Sequence, residues 1–164
     1  DQQLAHERIL FEDYLQNFEQ TSQNSQQLLF PETYDFTSSD AELLLSEKEN
    51  LLKLGLQLDH FGGSSIVVHG TPTNTNTSDI KIYLEQVLEG IKQFAGLPSF
   101  TPFEKTALSL AKASSIKRGK KLNSAEMEHI FSELFSCQNP NFCPQGKPLI
   151  VTFTEPEILK KFNA

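Results

Sequence analysis

The first twelve residues, DQQLAHERILFE, place Asp1, Glu7 and Glu12 close together, with Gln3 four positions ahead of Glu7. Side chains four apart lie on one face of a helix, so the stretch has the outline of one edge of a carboxylate metal site running into an amphipathic helix. At the third position such a site would want a nitrogen donor, and the chain carries an amide instead. His6 is near enough in sequence to substitute, although an imidazole there more ordinarily caps or solvates the helix. The carboxylates also have plain structural uses. Glu7 in a first turn complements the helix dipole, and Glu12 can pair with Arg8 at i, i+4. Cys143 has the residue type of a ligand, but a lone cysteine is commonly a small buried side chain.

Periodicity predicts the helices and strands that carry these groups. Leu10, Phe11, Tyr14, Leu15 and Phe18 recur at helical spacing, which predicts a helix from Ala5 to about Phe18. The polar run TSQNSQ (Thr21 to Gln26) ends it. Leu28, Leu29 and Phe30, closed by Pro31, read as a short edge strand or extended segment. Ser39 or Asp40 caps a second helix through Leu54 with Gly55 as its stop. LQLDHF and SSIVVHG, joined by Gly62 and Gly63, read as a β-hairpin. After the polar loop GTPTNTNTS, Ser78 or Asp79 caps a helix whose apolar face is Ile80, Tyr83, Leu84, Val87, Leu88 and Ile91. Pro102 opens the next helix, predicted to run to about Arg118 before Gly119. Asn123 or Ser124 caps another with Met127, Ile130, Phe131 and Leu134. LIVTFT (Leu149 to Thr154) reads as a buried strand, and Glu155 to Phe162 as a terminal helix. The expected fold is α+β, with about six helices and a small sheet of four strands.

Composition narrows the class. The 164 residues suffice for one sizeable core, 38% of them hydrophobic. No apolar run approaches the roughly 20 residues of a membrane helix, and the acidic, glutamine-rich start lacks the pattern of a signal peptide. Two cysteines, Cys137 and Cys143, form neither a CxxC pair nor a disulfide framework. A reducing, cytoplasmic setting without membrane attachment is the expectation. The net charge of −7 is unevenly spread: residues 1–60 hold 12 acids and 3 bases, and residues 61–164 hold 9 acids and 11 bases. Lys112, Lys117, Arg118, Lys120 and Lys121 fall where no acid intervenes between Glu104 and Glu126. They predict a local basic patch on an acidic chain. Its ordinary reading is a solvated helix C-terminus, and its functional one is phosphate contact.

Three segments, in order, resemble the C-terminal domain of MutL-type DNA mismatch-repair proteins. Asp1 to Glu12 is similar to the family's DQHA, two residues, E, four residues, E. Ser115-Ile116-Lys117-Arg118-Gly119 matches the end of its A-C-(K/R)-x-x-I-K-x-G segment. Cys143-Pro144-Gln145-Gly146-Lys147-Pro148 is similar to its CPHGRP. The resemblance implies a two-lobed dimerising domain, with a dimerisation lobe from about 1–20 and 120–164 and a regulatory-type lobe of about 25–118. It also implies an N-terminal ATPase and a linker in the full protein, and two strands preceding the first motif, so that the chain is expected to be a fragment starting at the end of a strand.

In nuclease members of that family the aspartate, histidine and first glutamate of the first motif join the other motifs' cysteines and histidine to hold metal ions that cut a DNA strand. Mixed nitrogen, oxygen and sulfur donors suit zinc or manganese, and the metal activates water for phosphoryl chemistry. Carried over, Asp1 and Glu7 are the catalytic candidates, and Asp1, Glu7 and Cys143 the metal candidates. Gln3 and Gln145 replace the two histidines, and Lys112 stands where a cysteine is expected. Amide oxygen is a weak zinc ligand and an ammonium repels a cation. A degenerate site is therefore expected, without zinc, visited at most weakly by manganese or magnesium, and the alternative is a nicking endonuclease with altered ligands.

The resemblance carries partners too. Gln26, Leu29 and Phe30 resemble the peptide by which repair proteins dock on the replication sliding clamp, with Leu29 and Phe30 as apolar anchors; their bland reading is an edge strand burying Leu28 and Phe30. Lys117, Arg118, Lys120 and Lys121 are candidates for DNA contact within a larger complex. A homodimer that engages the clamp and a mismatch-sensor protein, associated with the nucleoid, completes the expectation.

Overall fold

The computed structural model describes residues 1–19, 25–73, 75 and 79–162. The first four residues of TSQNSQ, the candidate cap Ser78 and the side chain of Phe18 lie outside the described residues. Seven helices and three strands are present among them: α1 (Gln2–Glu19), β1 (Ser25–Asp35), α2 (Ser38–Ser46), α3 (Lys48–Lys53), β2 (Gln57–Gly62), β3 (Ser65–Pro72), α4 (Ile80–Phe94), α5 (Pro102–Ser114), α6 (Ser124–Ser136) and α7 (Glu155–Phe162). The strands form one antiparallel sheet in the order β1-β3-β2. The α+β expectation holds. No described helix is long and apolar enough to cross a membrane.

The predicted hairpin is β2 and β3. Gly62 and Gly63 take φ of 117° and 57° at its turn, values that an L side chain resists. α4 starts at the predicted cap Asp79, whose carboxylate accepts the Ile82 N–H at 3.1 Å. Pro102 stands at the start of α5 behind a reciprocal Thr101–Glu104 capping box, and Asn123 with Glu126 caps α6 in the same way.

Two hydrophobic cores result. The larger joins Leu10, Phe11 and Tyr14 of α1 to the sheet and α2 to α5. The smaller consists of Ala5, Leu134, Cys143 and Leu149, with Leu4, Ile9 and Ile130 packed against it. α1 is the element common to both.

Several boundaries differ from expectation. The helix predicted from Ser39 or Asp40 to Leu54 is two, α2 and α3, and its cap is Thr37, which accepts the Asp40 N–H. The break falls at Glu47, whose carboxylate is drawn aside to Thr106 (2.7 Å) and Asn50 (2.9 Å). α5 stops at Ser114, short of Arg118. Its last carbonyls are taken by side chains: Ser115 Oγ and Lys117 Nζ donate to Lys112 O, and Lys117 Nζ to Ala113 O. Such capping ends a helix without a glycine. β1 runs on through Pro31 because Pro31 lies in a stretch that makes no ladder pairs.

LIVTFT is not a strand. Residues 150–154 carry no regular structure, and Val151 and Phe153 are 63% and 64% exposed. β-propensity expresses itself only against a neighbouring strand, and no described strand pairs with this segment. α6 is likewise buried only at Leu134, with Met127, Phe131 and Phe135 exposed.

α4 and α5 cross closely at Gly90. A Cβ there would lie 2.8 Å from Ser109 Cβ and 2.9 Å from Ser109 Cα. Alanine favours a helix over glycine by about 1 kcal/mol, yet overpacking of this kind costs about 1–3 kcal/mol. Gly90→Ala is therefore expected to lower the urea midpoint. An unchanged or higher midpoint would contradict the close crossing.

Candidate functional site

The first turns of α1 hold two loops. Asp1 caps the helix, its Oδ1 accepting from Gln3 N (3.1 Å) and Leu4 N (3.3 Å), while Oδ2 pairs with Arg118 at 2.7 Å. Gln2 Nε2 donates to the carbonyls of Lys117 (3.2 Å) and Lys120 (2.9 Å). His6 Nδ1 accepts the Ile116 N–H at 3.0 Å. The basic segment 116–120 is thus tied to α1 at four points. His6 neither caps nor solvates the helix, contrary to the ordinary expectation. Burial, His129 and Lys120 hold its pKa down at about 4, so the ring stays neutral and accepts.

One turn further, Gln3 and Glu7 share a face as their spacing requires, and Gln3 Nε2 donates to Glu7 Oε1 at 3.1 Å. Glu7 is buried, which raises its pKa; the Gln3 amide and the charges of Lys112, Lys117 and Lys147 oppose the rise. Lys117, an exposed residue, has its own pKa lowered by desolvation, with Glu7 among the groups acting against that. Lys112 turns toward α4, where Nζ donates to Gln93 Oε1 at 2.6 Å and lies 5.8 Å from the centre of the Phe94 ring.

Glu12 and Arg8 form the predicted pair, at 3.3 Å and almost fully buried. They do more than pair. Glu12 accepts the N–H groups of Gln138 (2.7 Å) and Asn139 (3.3 Å), and Arg8 Nε donates to Phe142 O (2.8 Å). The 138–142 loop is thereby fixed against α1. It delivers Cys143, fully buried beside Ala5. Cys143 anchors a turn: its N–H bonds Lys147 O (2.8 Å), its carbonyl accepts from Gly146 N (2.9 Å), and its sulfur accepts from Lys147 N (3.3 Å). Gly146 takes φ of 81° to close that turn. Asp1, Glu7 and Cys143 therefore each have a protein partner, and no three His, Cys, Asp or Glu residues among those described are grouped to hold a metal ion.

The stretch Leu28 to Pro31 behaves differently. Gln27 pairs with Gly70 and Glu32 with Val68, so four residues of β1 stand against His69 alone. Leu28 packs on the larger core, whereas Leu29 and Phe30 are 87% and 76% exposed. An edge strand burying Phe30 is excluded.

The family profile described as the MutL C terminal dimerisation domain matches residues 1–122. The chain belongs to this family. It is 36% identical over 163 residues to the DNA mismatch repair protein MutL of Parabacteroides distasonis, covering 99% of the chain and 26% of that protein. The MutL of Christiangramia forsetii is 35% identical over 162 residues, and that of Flavobacterium johnsoniae 33% over 162 residues, each over 99% of the chain and 26% and 25% of the relative. The chain spans about a quarter of the length of these MutL proteins. Sequence reasoning reached the family from its motifs but missed the tasks of His6, Gln2 and Glu12's second oxygen, because each bonds backbone more than 100 positions away.

The neutral state of His6 has a pH signature. Its ordinary value is 6.5 and its folded value about 4. As pH falls between them, the unfolded chain binds a proton that the folded chain refuses, so stability declines. His6→Asn keeps an acceptor for Ile116 N–H without the titration. Urea denaturation at pH 7 and pH 4.5 is expected to show the parent losing about 2 kcal/mol more than the variant, after discounting for partial exposure. Glu7 and Asp13, both raised by burial, push the other way in both proteins alike. Equal losses would remove His6 from this role.

Proposed function

We propose that the chain is the dimerisation and coordination module of a MutL-like DNA mismatch-repair protein, carrying a metal site that no longer works. The observation that carries the dimer is the number of large apolar side chains left exposed in its C-terminal third. Met127, Phe131, Phe135, Ile150, Val151, Phe153, Ile158, Leu159 and Phe162 are all exposed, and α7 buries none of its residues. Obligate dimers cover such surfaces. On this reading residues 1–20 and 120–164, built around the smaller core, form the dimerisation lobe, and residues 25–118 the regulatory lobe. The partner is a second copy.

The loss of metal chemistry is supported by the way the carboxylates and sulfur are spent on protein donors. Gln3 brings an amide N–H to Glu7 where a ligand would bring a lone pair, and three ammonium groups act on the same carboxylate. Light scattering at micromolar concentration is expected to give a dimer, and Phe131→Asp with Phe153→Asp a monomer. The purified protein is expected to hold no stoichiometric zinc and to leave supercoiled DNA intact with manganese. Tightly bound metal would overturn the loss of the site and revive the endonuclease, and nicking that disappears in Asp1→Asn would establish it.

The displayed Leu29 and Phe30 support docking on the sliding clamp, with Gln26 as the orienting amide. Lys117, Arg118 and Lys120, exposed on the segment that α1 holds, and Lys121 just after it supply contacts to DNA phosphates within the assembly. A mismatch-sensor protein is the further partner of this module, and the bacterial nucleoid its place of work. Replacing Leu29 and Phe30 by alanine is expected to weaken clamp binding by at least about tenfold, since such anchors dominate affinity. The melting temperature should be unchanged. A double variant that unfolds would return both residues to the core.

A further inference from the structure

We propose that Gly70, Gln27 and Gln57 form a positioning device that presents Leu28 to Pro31 as a preformed docking peptide. This rests on the clamp-docking reading above. A four-residue excursion with loose ends would have to be ordered on binding, and that ordering subtracts from affinity. Here both arms are fixed before any partner arrives. On the C-terminal arm, Glu32 pairs with Val68 and takes a hydrogen bond from the Tyr34 hydroxyl.

The N-terminal arm depends on a missing side chain. Gly70 lies on the central strand, paired with Gln27 on one side and Gln57 on the other. With no Cβ between them, Gln27 Nε2 donates across β3 to Gln57 Oε1 at 2.8 Å. A methyl group on Gly70 would stand 2.7 Å from Ser25 Oγ, 3.1 Å from Gln26 O and 3.2 Å from Gln27 Nε2. It would displace the backbone of Gln26, the proposed orienting amide, along with the arm that begins the excursion.

The kink itself is also pinned. Gln57 and Leu58 face Gly70 and Val68, so His69 is an extra residue against β2 as well as the single residue opposite Leu28 to Pro31. Two of the sheet's three register shifts coincide at His69, whose Nε2 lies 3.3 Å from Asp59 Oδ2, and Lys48 pairs with the same carboxylate. Leu28, turned into the core, leaves Leu29 and Phe30 facing out. Bulges re-aim side chains in this manner.

The test measures clamp affinity and melting temperature for Gly70→Ala, Gln57→Leu and Gln57→Glu, with the Leu29 and Phe30 double alanine variant alongside. Gly70→Ala is expected to weaken clamp binding about tenfold and Gln57→Leu about threefold, with folding retained. Gln57→Glu keeps an acceptor for Gln27 Nε2 and should bind as the parent does. If the double alanine variant loses binding while Gly70→Ala and Gln57→Leu keep parental affinity, the positioning device is refuted and the docking peptide stands. If the double alanine variant still binds, the docking reading itself fails. Should Gly70→Ala unfold, the contrast between Gln57→Leu and Gln57→Glu decides.

Discussion

The polar face of α1 is the constraint on which the arrangement depends. A helix between two cores could have been apolar all round, but this one must also satisfy backbone groups of two loops that have no ladder to join. Asp1, Gln2 and His6 serve the 116–120 segment, and Arg8 and Glu12 serve the 138–142 loop. A buried carboxylate accepting backbone N–H groups is worth more than a surface ion pair, because withdrawing it strands donors as well as a charge. The Arg8–Glu12 pair therefore organises the chain in a way that its i, i+4 spacing alone does not convey.

What was legible in the sequence was whatever local chemistry decides. Asp79, Pro102 and Asn123 start helices because their side chains or fixed φ act within one turn. Gly62 and Gly63 make a hairpin turn for equally local reasons. The α4 stripe from Ile80 to Ile91 is buried as its period requires. The errors fall where a distant group intervenes. α5 ends early because Lys117 folds back on its carbonyls and His6 takes the next N–H. The Glu47 break answers to Thr106, 59 positions away. LIVTFT has the composition of a strand and lacks a described partner, which composition does not report.

The site shows the same division. Spacing placed Gln3 and Glu7 on one face, and the structure has them bonded. The family motifs grouped Cys143 with Asp1 and Glu7; its burial with Ala5 is a finding of the structure, since nothing local in residues 143–148 points back to α1. The exposure of Leu29 and Phe30 depends on the break in register that leaves residues 28–31 without ladder partners. That register is set at Gly70 and His69, on a different strand.

The charges around Glu7 bear on whether a cation would enter. Lys117 Nζ is held by the carbonyls that end α5, where a positive charge is favoured by the helix dipole, so it is fixed by the fold and not merely attracted by Glu7. Burial still outweighs these charges, so the Glu7 carboxyl stays above its ordinary range. A divalent ion approaching Glu7 would meet that ammonium's repulsion, would have to break the Gln3 bond, and would find the Cys143 sulfur engaged by Lys147 N–H. Each step costs, and a thiol gains ligand strength only by losing its proton. On the proposed reading the lysines offset part of the cost of burying this acid, the part a bound metal would otherwise offset. That cost is structural, and it persists whether or not any DNA strand is cut.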